Sequence, residues 1–165
     1  MLPNIIEHSK QVANVALAIY NNLITKDSLD KNIILAAALL HDIAKTASIK
    51  EGQMRHDLKG GEILRNLGFK EIALIVESHV FFKGYNPFGP ITEKEIIFYA
   101  DKRVKHDQIV PVKERAADLV KRYGKDENRT AMINKNKLFT LELEKKIQKY
   151  SILDLDQYFS KIFSK

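Results

Sequence analysis

The sequence predicts an all-α fold, a helical bundle with additional helices at the C-terminal end. Apolar residues recur at spacings of three and four through most of the chain, which is the period of an amphipathic helix. The alternation of apolar and polar residues that is typical of a half-buried strand is scarce. Gly68 and the segment 84–90, rich in glycine and proline, interrupt the helical pattern. Helices packed around one core are therefore the expected architecture.

Periodicity and end signals predict eight helices. Thr92 followed by Glu95 predicts a capping box, and Pro111 suits the first turn of a helix. The polar stretch 124–136 predicts a connection, so residues 1–123 are expected to form the main domain and residues 124–165 a helical appendage packed on the same core. The predicted helices span residues 4–23, 29–44, 57–67, 70–81, 92–105, 112–123, 137–150 and 154–163.

The composition excludes several kinds of protein. With 165 residues, 45% of them hydrophobic, the chain suits one domain with one sizeable core. It has no cysteine, so it forms no disulfide, and any metal site must use nitrogen and oxygen ligands. The longest apolar run, from Ile33 to Leu40, is far shorter than the roughly 20 residues of a membrane helix. The N-terminal residues do not match a secretory signal, which favours a cytoplasmic protein.

Basic residues are concentrated after Asp101, and the formal net charge is +6. This excess fits an anionic partner. A nucleic-acid partner stays open but is not favoured, because the excess is modest and lacks the interleaved aromatic residues that stack on bases. The apolar side chains of the C-terminal appendage suit either a homodimer contact or completion of the bundle.

Six ionisable residues fall on or beside apolar helix faces, where solvated side chains are not expected. They are His8, His41, Asp42, His56, His79 and Asp101. A hydrogen bond satisfies a single buried histidine, but an unpaired buried carboxylate costs several kcal/mol. If the helices pack as a bundle, the six side chains can converge, and one or two metal ions would compensate for all of them.

Histidine and carboxylate ligands suit iron, manganese, zinc or magnesium without distinguishing among them. Six ligands are enough for two ions, with one aspartate bridging both. A divalent ion can lower the pKa of bound water to about 7, which favours hydrolysis. A second His-Asp pair, His106 and Asp107, is rotated away from Asp101 on the predicted helix and is interpreted as surface.

These motifs resemble the HD superfamily of metal-dependent phosphohydrolases. The matching features are the early His8, the doublet in HDIAK, and Asp101 in YADKRV. His56 in RHDLKGGEIL and His79 in VESHV resemble the branch with two-metal sites, which includes bacterial enzymes that cleave diadenosine tetraphosphate. The resemblance makes residues 1–123 the catalytic domain of an HD-type helical bundle.

The resemblance implies which residues hold the metal. His8, His41, Asp42 and Asp101 would hold one ion. His56 and His79, with Asp42 bridging, would hold a second. Iron or manganese is favoured, with zinc or magnesium as the other candidates.

The resemblance also implies how the substrate is held. Lys45 occupies the position of a phosphate-contacting lysine, so Asp42 and Lys45 are the candidate catalytic residues. Lys102 and Arg103, beside the last ligand, are further candidates for binding the phosphate. Ala44 stands where the family usually has glycine.

The implied function is hydrolysis of a phosphate ester, of a nucleotide or a dinucleoside polyphosphate, by metal-activated water. Two alternatives stay open: a nucleotide-binding regulatory module without turnover, and a di-iron oxygenase of the same superfamily. The loop after His79 carries Tyr85 and Phe88, which could overhang the site as a base-stacking lid or fold back on the core.

Overall fold

The computed structural model describes residues 1–52 and 55–163, which form nine helices and one two-stranded antiparallel hairpin. The all-α fold predicted from the sequence is confirmed. In chain order the elements are α1 (Pro3–Asn22), α2 (Lys31–Leu40), α3 (Lys45–Lys50), α4 (His56–Asn66), α5 (Lys70–Glu77), α6 (Glu93–Asp101), β1 (Val104–Lys105), β2 (Gln108–Ile109), α7 (Val112–Tyr123), α8 (Glu127–Lys149) and α9 (Leu155–Phe163).

Helix α6 lies at the centre of the bundle and is in contact with α1, α2, α5 and α8. Every residue from Glu95 to Asp101 is buried. The predicted capping box is present, because the Thr92 hydroxyl accepts from the Glu95 amide and the Glu95 carboxylate accepts from the Thr92 amide. Lys146 of α8 donates to the same carboxylate at 2.7 Å, so the start of α6 is tied to the C-terminal helices.

Helix α2 is shorter than the predicted helix 29–44. It begins after Asp30, whose carboxylate accepts from the amides of Asn32 and Ile33. It ends at Leu40, and residues 41–44 form a turn closed by the bond from the Lys45 amide to the Asp42 carbonyl, 2.9 Å. Ala44 has φ −91°, a backbone conformation that any residue adopts. The turn therefore does not require glycine, the residue that the HD superfamily usually has at this position.

Two other predicted helices end early. Helix α5 stops at Glu77 instead of residue 81, and the side chains of Ser78 and His79 donate to carbonyls of its last turn. Helix α6 stops at Asp101 instead of residue 105, and the chain turns into the β1–β2 hairpin. His106 has φ +57° at the tip of this hairpin, a left-handed conformation that a right-handed helix cannot contain.

The prediction that residues 124–136 form a connection is wrong. Helix α8 begins at Glu127, with the Asp126 carboxylate capping its N-terminus by accepting from the Arg129 amide at 2.8 Å. The first turns of α8 are rich in exposed polar side chains, and Ile133 is the buried apolar residue among them. Residues 127–136 were therefore mistaken for a loop, because a solvent-exposed helix face has the same polar composition as a loop.

Helices α8 and α9 contribute to the same hydrophobic core as the rest of the bundle. Leu143, Ile147, Leu155 and Phe159 are all buried in the cluster that includes Val12 of α1. In the loop 84–90, Tyr85 folds back onto the rings of Phe82 and Phe139, whereas Phe88 is 93% exposed.

By length and composition alone, the segment Lys31–Lys50 could cross a membrane. In the structure a turn divides it into α2 and α3, and that turn carries the buried side chains of His41 and Asp42. Helix α2 packs against α1, α5 and α6. These contacts account for its apolar composition, because a helix buried in a protein core can be as long and as apolar as one that crosses a membrane.

The position of α8 in the core predicts a large stability effect at Leu143, which is fully buried. We expect Leu143→Ala to lower the free energy of unfolding by about 2–5 kcal/mol, because it removes apolar burial and leaves a cavity. Leu138→Ala, in the same helix but 64% exposed, should change it by no more than about 0.5 kcal/mol. Urea denaturation measures both, and equal effects would contradict the packing described.

Candidate metal centre

The structure brings together the six side chains singled out by the sequence, and they form two groups. The first ligand group is His8, His41 and Asp101, and the second ligand group is Asp42, His56 and His79. Within each group the three nearest ligand atoms lie within 4.8 Å of one another. Most members stand at or next to the end of a helix, so several helix ends meet at the cluster.

The spacing within each group suits a metal ion. Two ligand atoms bound to one ion at about 2.1 Å, with angles between 90° and 110°, lie about 3.0–3.4 Å apart. In the first group Asp101 Oδ1 is 3.0 Å from His8 Nε2 and 3.8 Å from His41 Nε2. In the second group Asp42 Oδ1 is 3.2 Å from His56 Nε2 and 3.6 Å from His79 Nε2. Small shifts of these side chains would bring both groups to the bonded spacing.

Asp42 connects the two groups. Its Oδ1 belongs to the second ligand group, and its Oδ2 lies 3.5 Å from His41 Nε2 of the first. The ring centroids of His41 and His79 are 5.1 Å apart, so the groups are immediate neighbours. A carboxylate with one oxygen toward each group is the arrangement expected of a bridging ligand.

Backbone carbonyls orient three of the histidines. Nδ1 of His41 lies 2.7 Å from the Ala38 carbonyl, and Nδ1 of His79 lies 2.6 Å from the Val76 carbonyl. Nδ1 of His8 lies 2.9 Å from the carbonyl of His106. A carbonyl oxygen only accepts, so each Nδ1 donates to its carbonyl, and Nε2 of the neutral ring would offer its lone pair to a metal ion. Metal-binding histidines in proteins have this arrangement. In the structure, Nε2 of His8 lies at hydrogen-bonding distance from Asp101 Oδ1, 3.0 Å.

Two ligand atoms at the centre of the cluster lack a hydrogen-bond partner among residues 1–52 and 55–163. Burial lowers the pKa of His41 to about 4, although Asp42 and Asp101 act in the opposite direction, so the ring is neutral at pH 7. His41 Nε2 and Asp42 Oδ1 are both buried, and neither has a hydrogen-bond partner in the part of the chain that the structure describes. Leaving a buried polar atom unpaired costs about 1–3 kcal/mol. A cation placed among these atoms would be bound by all of them, so the residues fit a divalent metal.

The two carboxylates are charged despite their burial. Burial alone would raise the pKa of Asp42, but His41 and the Lys45 ammonium hold it well below its usual range. Burial would likewise raise the pKa of Asp101, and Lys102 and His8 hold it low. Both aspartates are therefore available as anionic ligands at neutral pH.

Helix α4 comes close enough to the cluster because Gly60 has no side chain. A Cβ atom at this position would lie 3.1 Å from Cγ1 of Val76 and 3.4 Å from Cγ2 of Ile43. The close packing of α4 against α5 places His56, the first residue of α4, with its Nε2 3.1 Å from Nε2 of His79.

Lys45 and Lys102 both lie at the cluster. Lys45 is the first residue of α3, and its Nζ donates to Asp42 Oδ2 at 2.6 Å while its side chain remains 25% exposed. Lys102 Nζ is bonded to Asp101 Oδ2 at 2.5 Å and to the His79 carbonyl at 2.9 Å. Lys102 is buried and contacts one residue of each group, and its predicted contact with the phosphate stays a prediction.

The structure corrects the prediction for Arg103. Its guanidinium donates to the Tyr99 hydroxyl, the Val110 carbonyl and, at 2.7 Å, Asp156 of α9. It also packs against the ring of Phe159, 4.8 Å from the centroid. Arg103 therefore joins α6 to the C-terminal helices and does not face the cluster.

Sequence reasoning missed two contributions to the cluster. The side chain of His106 is exposed, as predicted, but its backbone carbonyl orients His8. Arg115 of α7 is buried, with Nη2 3.9 Å from Asp101 Oδ1. Arg115 shares a helix face with the apolar residues Val112, Ala116 and Leu119, and that pattern is the signal that could have identified it.

Comparison with known proteins agrees with this geometry. The family model described as HD domain matches residues 5–106, a span that contains all six cluster residues. The chain belongs to the HD domain family. HD domains bind divalent metals and are commonly metal-dependent phosphohydrolases.

Two relatives extend the match. An uncharacterized protein of Methanocaldococcus jannaschii is 31% identical over 140 residues, which cover 74% of this HD-domain chain and 79% of that protein. A tRNA (cytidine(56)-2'-O)-methyltransferase of Thermoplasma volcanium is 33% identical over 125 residues. That match covers 64% of this chain but only 35% of the methyltransferase. No solved structure matches the chain.

The unpaired atoms of the cluster predict that metal stabilises the fold. For chelator-treated protein, Mn²⁺ at 100 times its Kd should add about 2.7 kcal/mol. For a domain of this size that raises the Tm by about 5–10 °C. His41→Ala should abolish most of the shift. His106→Asn, at the exposed histidine that keeps its carbonyl, should retain it. Differential scanning fluorimetry gives the answer, and a similar shift in His41→Ala would contradict the site.

Proposed function

We propose that this HD-domain protein is a metal-dependent phosphohydrolase that cleaves a phosphate ester of a nucleotide or a dinucleoside polyphosphate. The observation that carries the proposal is the convergence of unpaired, buried ligand atoms on Asp42, with His41 Nε2 on one side and the second ligand group on the other. We infer that iron or manganese occupies the two groups. When bound, such ions would lower the pKa of water and polarise a phosphoryl oxygen.

The residues of the chain have separable roles in this proposal. Asp42 would hold the two ligand groups next to each other, because one of its carboxylate oxygens lies toward each group. Lys45 helps to keep this carboxylate negatively charged. The carbonyls of Ala38, Val76 and His106 keep three imidazoles aimed at the cluster. These fixed contacts reduce the reorganisation that binding and reaction would otherwise require.

The charge around the cluster favours an anionic substrate. Lys45, Lys102 and Arg115 each place a cationic nitrogen within 4 Å of Asp42 or Asp101. Asp118 also contacts Arg115, so the side-chain charges balance, and bound divalent ions would leave an excess of positive charge. A phosphoryl group would be attracted to this excess of positive charge. An uncharged organic substrate, as for an oxygenase, gains nothing from it.

Lys45 is the side chain best placed to meet the phosphate. Burial alone would lower its pKa, but Asp42 and Asp101 raise it, so the ammonium stays protonated. It is partly exposed while bonded to a candidate ligand, and therefore reaches both solvent and the cluster. We infer that it neutralises charge on a phosphoryl oxygen.

RNA is a second substrate class to be tested. One relative is named for methylating tRNA, although the chain spans only about a third of its length. The net charge of +6 is compatible with a phosphate ester carried on RNA. RNA with a terminal phosphate therefore belongs in the substrate panel beside small nucleotides.

The deciding assay is phosphate release by protein loaded with Mn²⁺ or Fe²⁺ under anaerobic conditions, from mononucleotides, dinucleoside polyphosphates and RNA. We expect turnover of at least one substrate, and none by the double variant His41→Ala, Asp42→Ala. Tight nucleotide binding without product would favour a regulatory module. Oxygen consumption with an organic substrate, without phosphate release, would favour an oxygenase. Either result would refute the proposal.

Replacement of Lys45 tests its role directly. Lys45→Met should lower kcat/KM about 10- to 100-fold, because a charge-assisted hydrogen bond contributes about 1.5–3 kcal/mol. Lys50→Met, at the exposed last position of the same helix, is the matched control and should have wild-type kinetics. Steady-state assays with metal content checked in each variant measure the effect. Equal activity of the two variants would remove Lys45 from the mechanism.

A further inference from the structure

Arg115 is the buried cation at the cluster whose hydrogen bonds are least complete. It lies in α7, near the helix start, and is only 6% exposed. Its Nη1 donates to Asp118 Oδ2 at 3.0 Å. Its Nε is buried and has no hydrogen-bond partner among the described residues. Its Nη2 is 3.9 Å from Asp101 Oδ1, too far for a hydrogen bond.

The unpaired side of the guanidinium is the edge formed by Nε and Nη2. These two N–H groups are parallel and match two oxygens of a carboxylate or a phosphate. Asp101 does not serve this edge, because its Oδ1 belongs to the first ligand group and its Oδ2 is bonded to Lys102. A buried charged group left with an unsatisfied donor is costly, so an additional anion is the expected partner.

The remaining neighbours do not supply that anion. Asp118 is held at Nη1 and also contacts Arg122 at 3.4 Å. Arg115 lines a small cavity of about 40 Å³ with Lys102, Lys137 and uncharged residues of α7 and α8, and no carboxylate is among the lining residues. The surroundings of Arg115 are thus cationic, apart from the aspartate that its Nη1 already binds and the metal-ligand candidate Asp101.

We propose that the Nε–Nη2 edge of Arg115 binds two oxygens of the phosphoryl group that is held at the metal centre. This inference rests on the proposed function and makes Arg115 a catalytic residue that contacts the transferred phosphate. Lys45 lies beside Asp42 and Arg115 beside Asp101, so the two cations would contact the phosphate from the sides of different ligand groups. Inorganic phosphate, the product, would occupy the same contacts.

Calorimetric titration of Mn²⁺-loaded protein with inorganic phosphate tests this contact without requiring turnover. We expect Arg115→Gln to weaken phosphate binding at least tenfold with the metal content unchanged. Arg115→Lys keeps the charge but loses the paired N–H groups, so it should recover only part of the affinity. Arg122→Gln removes the exposed arginine that shares Asp118 and should stay within twofold of wild type.

The outcomes separate this inference from the proposed function. Wild-type affinity in both Arg115 variants, or no phosphate binding by the wild type, would overturn the contact. If Arg115→Gln does not fold, Arg115→Lys still decides, since full affinity in that variant would overturn a paired contact. Phosphate binding that depends on Arg115 in a protein without hydrolytic activity would support the contact and refute the phosphohydrolase.

Discussion

Two charged carboxylates, Asp42 and Asp101, are buried at the point where the helices of this bundle meet, and the rest of the structure is arranged around them. Unpaired burial would cost several kcal/mol for each. Lys45 and Lys102 supply one charged contact apiece. The remaining oxygens face imidazole nitrogens, with Asp42 Oδ1 3.2 Å from His56 Nε2 and Asp101 Oδ1 3.0 Å from His8 Nε2. Among the described residues, His41 Nε2 and Asp42 Oδ1 have no hydrogen-bond partner, and a bound metal ion would satisfy both atoms.

Helix ends supply hydrogen-bond partners for the polar groups that are concentrated in this otherwise apolar bundle. The last turn of a helix has carbonyls without intrahelical partners. Ala38 and Val76 are in the last turns of α2 and α5, and their carbonyls hold His41 and His79. The early end of α5 and the turn after α2 are therefore part of the site. The β1–β2 hairpin serves in the same way by presenting the carbonyl of His106 to His8.

The fold class could be predicted from periodicity, and so could His8, His56, His79 and Asp101, because a polar residue in phase with apolar neighbours must be satisfied inside. His41 and Asp42 could be predicted because they directly follow an apolar helix. Asp101, in phase with Ile97 and Val104, is the clearest case. Features set by side-chain contacts between distant segments could not be predicted. Arg103 was predicted to bind phosphate because it lies beside Asp101 in the sequence, yet its partners Glu144 and Asp156 lie 41 and 53 positions later. The cap at Asp126 could not be recognised because the helix that follows it begins with a polar face. Arg115 was overlooked among its many basic neighbours, although its place on an apolar helix face could have identified it.

The central claim, two adjacent metal positions sharing Asp42, is tested most directly by elemental analysis of metal-loaded protein after removal of free ions. The account predicts about two equivalents per chain in the wild type. His8→Ala, which damages only the first ligand group, and His56→Ala, which damages only the second, should each retain about one. A wild type without bound metal, or two equivalents retained in both variants, would contradict it.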